Sequence, residues 1–330
     1  MSRIKAVKKV LTIGSCMVEI TPTEAGQTIR DAHTLYKYAN GSVSLFAAAV
    51  ARLGAPITVV SRVGADELGE FMIQALAELG VDSSLVKPVP GMQTPVSFCS
   101  VDQEGGKKFD FYRFPGYSEP MADISQADFP QPLFEGYGLF DFSENMLRSS
   151  KQRSAVLTAA ARARKAGCMV VYGVNLRFSA WQEPETTIRT LQKRALGVAK
   201  VAVMNAEELA FITKTNDMNA GCSKIHELGP ELVAVTSAGG PTILSSEKGL
   251  LEIPPFEVEV IYVVGAGDCF HGGLVVGLAN GLAPASAGLI ANAVAAWRVS
   301  RAPRLEDLPT LSQVEDFIAS RREQSQTRYK

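Results

Sequence analysis

The chain has 330 residues, 46% of them hydrophobic, and its 33 basic and 34 acidic side chains leave a formal charge of −1. That is enough apolar chain for one large core or two modest ones, and with Lys and Arg spread along it, neither nucleic acid nor an anionic membrane is implied as a partner. Five cysteines (Cys16, Cys99, Cys168, Cys222, Cys269), never spaced Cys-x-x-Cys, and only three histidines argue against zinc or disulfide frameworks.

Met1 to Lys9 is basic, but the apolar run after it is short and holds Gly14 and Glu19, unlike a signal peptide, so a reducing cytoplasm is the expected compartment. Val10 to Ile20 is predicted as a first strand, Ser42 to Leu53 as an alanine-rich helix ending at Gly54, and Ile57 to Val63 as the next strand. Glu67 to Leu79 and Ser154 to Ala166 read as helices stopped by Gly80 and Gly167. Met169 to Val174, Val201 to Asn205, Leu232 to Thr236 and Val258 to Val264 read as further strands. The alternation predicts an α/β fold with a mainly parallel sheet covered by helices on both faces, its ligands at the carboxyl ends of the strands. Gln27 to Tyr38, and Thr94 to Phe114 with its Glu104-Gly105-Gly106 turn, stand outside the alternation. They read as a small β layer, either a lid that keeps water from a phosphoryl donor or a surface hairpin without a gating role. One domain over residues 8–320 is expected, with lid strands from about 27–40 and 94–114, and Arg321 to Lys330 as a disordered tail.

The most informative stretch is Val264-Gly265-Ala266-Gly267-Asp268-Cys269-Phe270-His271-Gly272-Gly273. Gly265, Ala266 and Gly267 can gather backbone N–H groups at a helix N-terminus, where unpaired donors and the macrodipole favour an anion such as a phosphoryl group. Asp268 would then stand in the first turn, placed to accept the proton of an attacking hydroxyl. The plainer alternative is a tight turn with Asp268 as a cap. A dinucleotide-binding turn would need a third glycine where Phe270 stands and an acid about 20 residues on, whereas no Asp or Glu occurs between Asp268 and Glu306. No Gly-Lys-Ser or Gly-Lys-Thr of a P-loop occurs either.

These residues resemble the PfkB, or ribokinase-like, family of carbohydrate kinases, over nearly the whole chain from about Val10 to Ile318. The resemblance rests on Gly265-Ala266-Gly267-Asp268, on Asn40-Gly41 with Ala51-Arg52-Leu53-Gly54, on Val60 to Gly69, on Asn205-Ala206-Glu207-Glu208, and on Asn292 in an alanine-rich helix. It implies a three-layer α/β/α sandwich with a small β lid, ATP and magnesium as cofactors, a small sugar or sugar acid as substrate, and a homodimer through the lid strands. It also implies that Asn205 and Glu208 organise magnesium, through water, and that Asn205, Thr236, Gly239, Gly265, Gly267 and Asn292 serve the nucleotide. From spacing alone, Asn205 and Glu208 are equally a capping box, Asn205 as N-cap and Glu208 reaching back.

Ile13 to Ile20, Phe111-Tyr112-Arg113, and Asn175-Leu176-Arg177 followed by Trp181 are similar to the 2-keto-3-deoxygluconate kinase branch. Two arginines converging on one cleft suit an anionic sugar, because a guanidinium grips a carboxylate with two parallel hydrogen bonds. Arg177 also occurs in fructokinase-like members, so fructose or another ketose is the alternative. The expected substrate side comprises Glu19, Gly41, Tyr112, Arg113, Asn175 and Asp268; the catalytic side comprises Asp268, Gly265, Ala266, Gly267 and Arg177. Five positions depart from the family pattern: Asn40 replaces a glycine, Leu45 an asparagine used for sugar hydroxyls, Tyr262 an aspartate, Ala238 the glycine usual after the strand Leu232 to Val235, with Gly239 and Gly240 following, and Glu144 a glycine of the sugar-acid branch, where a carboxylate could repel an acidic substrate. A sugar- or nucleotide-binding protein that has lost phosphotransfer is the alternative from another class.

Overall fold

The computed structural model describes residues 8–24, 26–101, 107–111, 119–302 and 304–327. The strands in chain order are β1 (Lys9–Ile13), β2 (Met17–Pro22), β3 (Leu35–Asn40), β4 (Ile57–Gly64), β5 (Val86–Val89), β6 (Val96–Val101), β7 (Lys107–Phe111), β8 (Tyr137–Ser143), β9 (Met169–Gly173), β10 (Val201–Asn205), β11 (Leu232–Thr236), β12 (Thr242–Ser246) and β13 (Gly249–Ile253). The helices are α1 (Ser42–Arg52), α2 (Glu67–Glu78), α3 (Ser150–Lys165), α4 (Glu185–Leu196), α5 (Ala206–Thr213), α6 (Met218–His226), α7 (Ala266–Ala279), α8 (Pro284–Val299) and α9 (Leu311–Thr327).

Nine strands form the main sheet in the order β13-β12-β11-β10-β9-β8-β1-β4-β5. Its pairings are parallel from β11 through to β5, and β12 and β13 add an antiparallel edge. Because side chains alternate across a strand, Val10 of β1 joins the core shared with α1, α2, α7 and α8, while Leu11 and Ile13 join the core shared with α3 to α6. Burial on both faces is why these strands read as continuous apolar runs, and the result is the expected three-layer sandwich.

A second sheet, β3-β2-β6-β7, is the small β layer. Its composition differs from expectation: Val10 to Ile20 is not one strand but two, β1 in the main sheet and β2 in the lid. Gly14 to Cys16 makes the crossing, where Ser61 Oγ donates to Gly14 O at 2.7 Å and accepts from Cys16 N at 3.3 Å, satisfying the backbone that leaves the ladder. Within Gln27 to Tyr38 only the part from Leu35 is strand, and the Glu104-Gly105-Gly106 turn lies outside the described residues.

Two further expectations are corrected. Val258 to Val264 forms no strand: Val260 and Ile261 are 59% and 58% exposed, and the amides of Ile261 and Tyr262 both donate to Val299 O at the end of α8. β-branched residues favour a pleated surface only where a neighbouring strand supplies one. The polar stretch after Arg321 continues α9 to Thr327, with 328–330 outside the described residues. Arg, Glu and Gln are good helix formers, so low hydropathy there does not by itself mark a coil.

Candidate active site

The carboxyl ends of β1, β8, β9, β10 and β11 and the start of α7 enclose a cleft of about 210 Å³. Gly265, the N-cap of α7, holds φ at +84°, a left-handed conformation that glycine adopts without a Cβ clash; an added Cβ would lie 2.8 Å from Leu45 Cδ1. Leu45, in the place of the expected sugar-binding asparagine, thus packs behind the turn. The first intrahelical bond is Cys269 N to Gly265 O at 2.9 Å, which leaves the amides of the preceding residues free of helical partners beside the cleft.

Asp268 stands half-buried on the cleft wall. Asn175 Nδ2 donates both to Asp268 Oδ1 at 3.1 Å and to Ser42 Oγ at 2.7 Å, fixing the carboxylate against α1 and the loop after β9. Asn175 holds φ at +36°, a left-handed conformation tolerated by Asn and common at functional turns. Burial raises the Asp268 carboxyl above its usual range, opposed by the charge of Arg177, a hydrogen bond from Ser42, and the charges of His271 and Arg298. Arg177, exposed, lines the same cleft.

Asn205 and Glu208 do form the capping box: Glu208 N donates to Asn205 Oδ1, and Asn205 N to Glu208 Oε2, each at 2.8 Å. Glu208 Oε1 also accepts from Leu176 N at 2.6 Å, joining α5 to the Asn175-Arg177 loop. Burial nonetheless pushes its carboxyl up to about 7, against the hydrogen bonds from Asn205 and Leu176 and the charge of Arg177. The capping box leaves the buried acid facing the cleft. Among the described residues no three His, Cys, Asp or Glu side chains gather as a metal cage. One carboxylate with an adjacent amide oxygen fits magnesium instead, which keeps most of its shell as water and phosphate oxygens.

Other expected residues are placed elsewhere. Glu19, 2% exposed, accepts from Tyr38, Asn40 and, at 3.0 Å, Tyr262. Its burial raises the carboxyl's pKa, and the acid ties the lid to the segment before Gly265 rather than facing the cleft. Asn40 and Tyr262, two departures from the family pattern, are partners in this one cluster. Gly41 is the N-cap of α1, next to the cleft-lining Ser42. Asn292 accepts from Thr242 Oγ1 at 2.7 Å and donates to Ile253 O and Pro254 O at 3.3 and 3.0 Å, so its amide fastens α8 to the antiparallel edge. Thr236 lines the cleft, whereas Gly239, at φ +72°, lies on the exposed turn after β11 and outside it. Tyr112 and Arg113 lie outside the described residues.

Glu144 does not threaten an acidic ligand. It is 1% exposed, takes Arg148 Nε and Nη2 at 3.1 and 2.7 Å on its two oxygens, and accepts Trp181 Nε1. Arg148→Met, which strands this buried carboxylate with the indole, is expected to destabilise the fold by about 3 kcal/mol in urea titrations; a change under about 1 kcal/mol would mean that the pair contributes little.

Thr12, Ser42, Asp141 and His271 were missed. Thr12 Oγ1 donates to Asp141 Oδ2 at 2.9 Å, and His271 Nε2 lies 3.0 Å from Asp141 Oδ1, off-line for a hydrogen bond. A Cβ on Gly173 would come within 2.8 Å of the His271 ring, so the glycine lets that ring in. His271, one helical turn after Asp268, carried a spacing signal; Asp141 inside an unrecognised apolar strand carried little.

Fold and cleft define a class: an open α/β protein with an acid in the first turn of a helix and a cleft over the strand ends, as in phosphotransferases of this architecture. Residues 7–311 match the model of the pfkB family carbohydrate kinases, and the chain belongs to that family of sugar kinases. It is 27% identical over 324 residues to the aminoimidazole riboside kinase of Salmonella typhimurium, covering 96% of this chain and 97% of that one. To the fructokinase of Klebsiella pneumoniae it is 28% identical over 272 residues, 82% and 84% of the two chains. The solved fructokinase of Xylella fastidiosa with bound ATP superposes with a TM-score of 0.83 at 26% identity, covering 95% and 99%. No helix of the described residues is long and apolar enough to cross a membrane.

Proposed function

We propose that this kinase transfers the terminal phosphoryl group of magnesium-ATP to a hydroxyl of a small sugar, with Asp268 as the base. What carries the reading is Asp268 at the start of α7, held by Asn175 and opposed by Arg177 across the cleft. The carboxylate takes the proton of the attacking hydroxyl. The free amides of the Gly265 to Gly267 turn stabilise charge developing on the transferred group, and Arg177 orients or neutralises it. Asn205 and Glu208 would hold magnesium, through water, and the ion would supply positive charge to the phosphates. Thr236 lines the nucleotide side of the cleft. The fructokinase names of several relatives favour a neutral ketose or furanose. The Tyr112-Arg113 pair favours a keto sugar acid such as 2-keto-3-deoxygluconate, with Arg113 as its carboxylate clamp.

ADP release with magnesium-ATP across 2-keto-3-deoxygluconate, 2-keto-gluconate, fructose, ribose and nucleosides separates the two. Turnover confined to keto acids selects the clamp, and turnover confined to neutral sugars discards it. Silence across the panel with sugar-dependent thermal stabilisation intact would replace the kinase by a binding protein.

A homodimer through the lid is also proposed, because β3 and β7 form the two edges of the second sheet and Leu35, Tyr36 and Phe111 on them are 41%, 41% and 51% exposed. Light scattering should give twice the 35.3 kDa chain mass, and Leu35→Asp should halve it; a monomer at all concentrations would refute the dimer.

A further inference from the structure

Arg298 is, by residue volume, the largest fully buried side chain among the described residues, and the reaction outlined above makes no use of it. It lies in the last turn of α8, where the helix dipole favours a cation. Its Nε donates to Val264 O at 3.1 Å, its guanidinium carbon lies 5.3 Å from the centre of the Tyr262 ring, and Nη2 has no partner. The next residue, Val299, accepts Ile261 N at 2.7 Å and Tyr262 N at 3.0 Å. The end of α8 therefore grips both ends of the segment 261–264, which no strand supports.

That grip bears on the catalytic turn through one peptide. The Val264–Gly265 bond is planar and trans, so a carbonyl drawn towards Arg298 sends the Gly265 N–H the opposite way. Gly265 borders the cleft, and a Cβ built on it would lie 3.5 Å from Arg298 Nε, which puts the guanidinium directly behind the turn. Among the described residues no carboxylate comes within ion-pair distance of it. Asp268 and Glu19 feel its charge only at longer range. An unpaired buried guanidinium is costly, and a methionine would fill the space, so its charge and its donor must serve something.

We propose that Arg298 is a positioning residue for phosphoryl transfer: it sets the Val264 carbonyl and places a fixed positive charge behind the Gly265–Gly267 anion site. Its kinetic consequence rests on the phosphotransfer reading; its effect on anion binding does not. Arg298→Met keeps bulk without charge and should lower kcat by ~10–100-fold while the sugar KM stays within about twofold. Arg298→Lys should recover part of the rate, and guanidinium ion far below denaturing concentrations should partly restore Arg298→Ala. In parallel, stabilisation of the ligand-free protein by inorganic tripolyphosphate, read as a melting shift, should be present in the native chain and largely lost in Arg298→Met. Native-like turnover in Arg298→Met, or an Arg298→Ala rate that guanidinium leaves unchanged, would overturn the proposal. If the native chain turns over no sugar, the functional reading fails, and the tripolyphosphate shift alone decides the inference: equal shifts in the native chain and Arg298→Met overturn it, and a shift lost in Met but kept in Lys supports it.

Discussion

Asp268→Asn is expected to lower kcat by ~10³-fold, about 4 kcal/mol of transition-state stabilisation, while ATP binding stays close to native. The substitution is nearly isosteric: Asn keeps an oxygen for the 3.1 Å hydrogen bond from Asn175 Nδ2, so the loop after β9 and the start of α7 keep their places. What disappears is the lone pair that receives the hydroxyl proton. The base works ionised, so in the native enzyme kcat falls as pH drops through the Asp268 pKa. Burial lifts that limb above the ordinary carboxylate range, and the Arg177 charge is the leading influence holding it down. Arg177→Met should therefore move the acid limb to higher pH, besides any loss in rate. A pH profile at saturating substrate reads both effects. Near-native turnover in Asp268→Asn would remove Asp268 from its role, and an unmoved limb in Arg177→Met would separate the two side chains.

How far such a site could be read beforehand depended on whether its chemistry was local in sequence. The Gly265 to Asp268 turn and the Asn205 to Glu208 box are each complete within four residues, and both line the cleft. The cleft's other half is assembled by the sheet order, which places β8 beside β1 although some 125 residues separate the two in the chain. Asp141 and Thr12 meet only through that pairing, so no spacing rule announces them. Glu19 and Asn292 show the converse: residue types that suit a ligand are used internally, one for joining the lid to the catalytic segment, the other for fastening α8. Val258 to Val264 failed as a strand because propensity cannot say whether a neighbouring edge exists. The same failure exposes the role of α8, whose end replaces the missing ladder with the Val299 carbonyl and Arg298.

Glu208 links the cleft to stability in a way that titration can read. Its carboxyl is raised from the ordinary 4.5 to about 7 because burial disfavours the charged form. Between those values the folded chain keeps a proton that the unfolded chain has released, so stability falls as pH rises and the loss is complete above about 7. A shift of that size corresponds to roughly 3 kcal/mol, the cost of holding the buried carboxylate ionised. Glu19 and Asp268, also raised by burial, act in the same direction, so the group must be isolated by substitution. Glu208→Gln removes the ionisation: its oxygen serves one of the two backbone amides, and its NH2 meets the other as a second donor, a cost that does not vary with pH. Urea titrations should find the variant less stable than native near pH 5 but less pH-sensitive, with the native chain losing roughly 3 kcal/mol relative to it between pH 5 and pH 8.5. Parallel curves would show that Glu208 ionises as an exposed carboxylate does. Magnesium-ATP should then return the lost stability to the native chain at pH 8.5 and much less to Glu208→Gln, since a cation held near the carboxylate favours its charged form. Equal stabilisation of both would leave Glu208 as a cap for α5 and place the magnesium elsewhere.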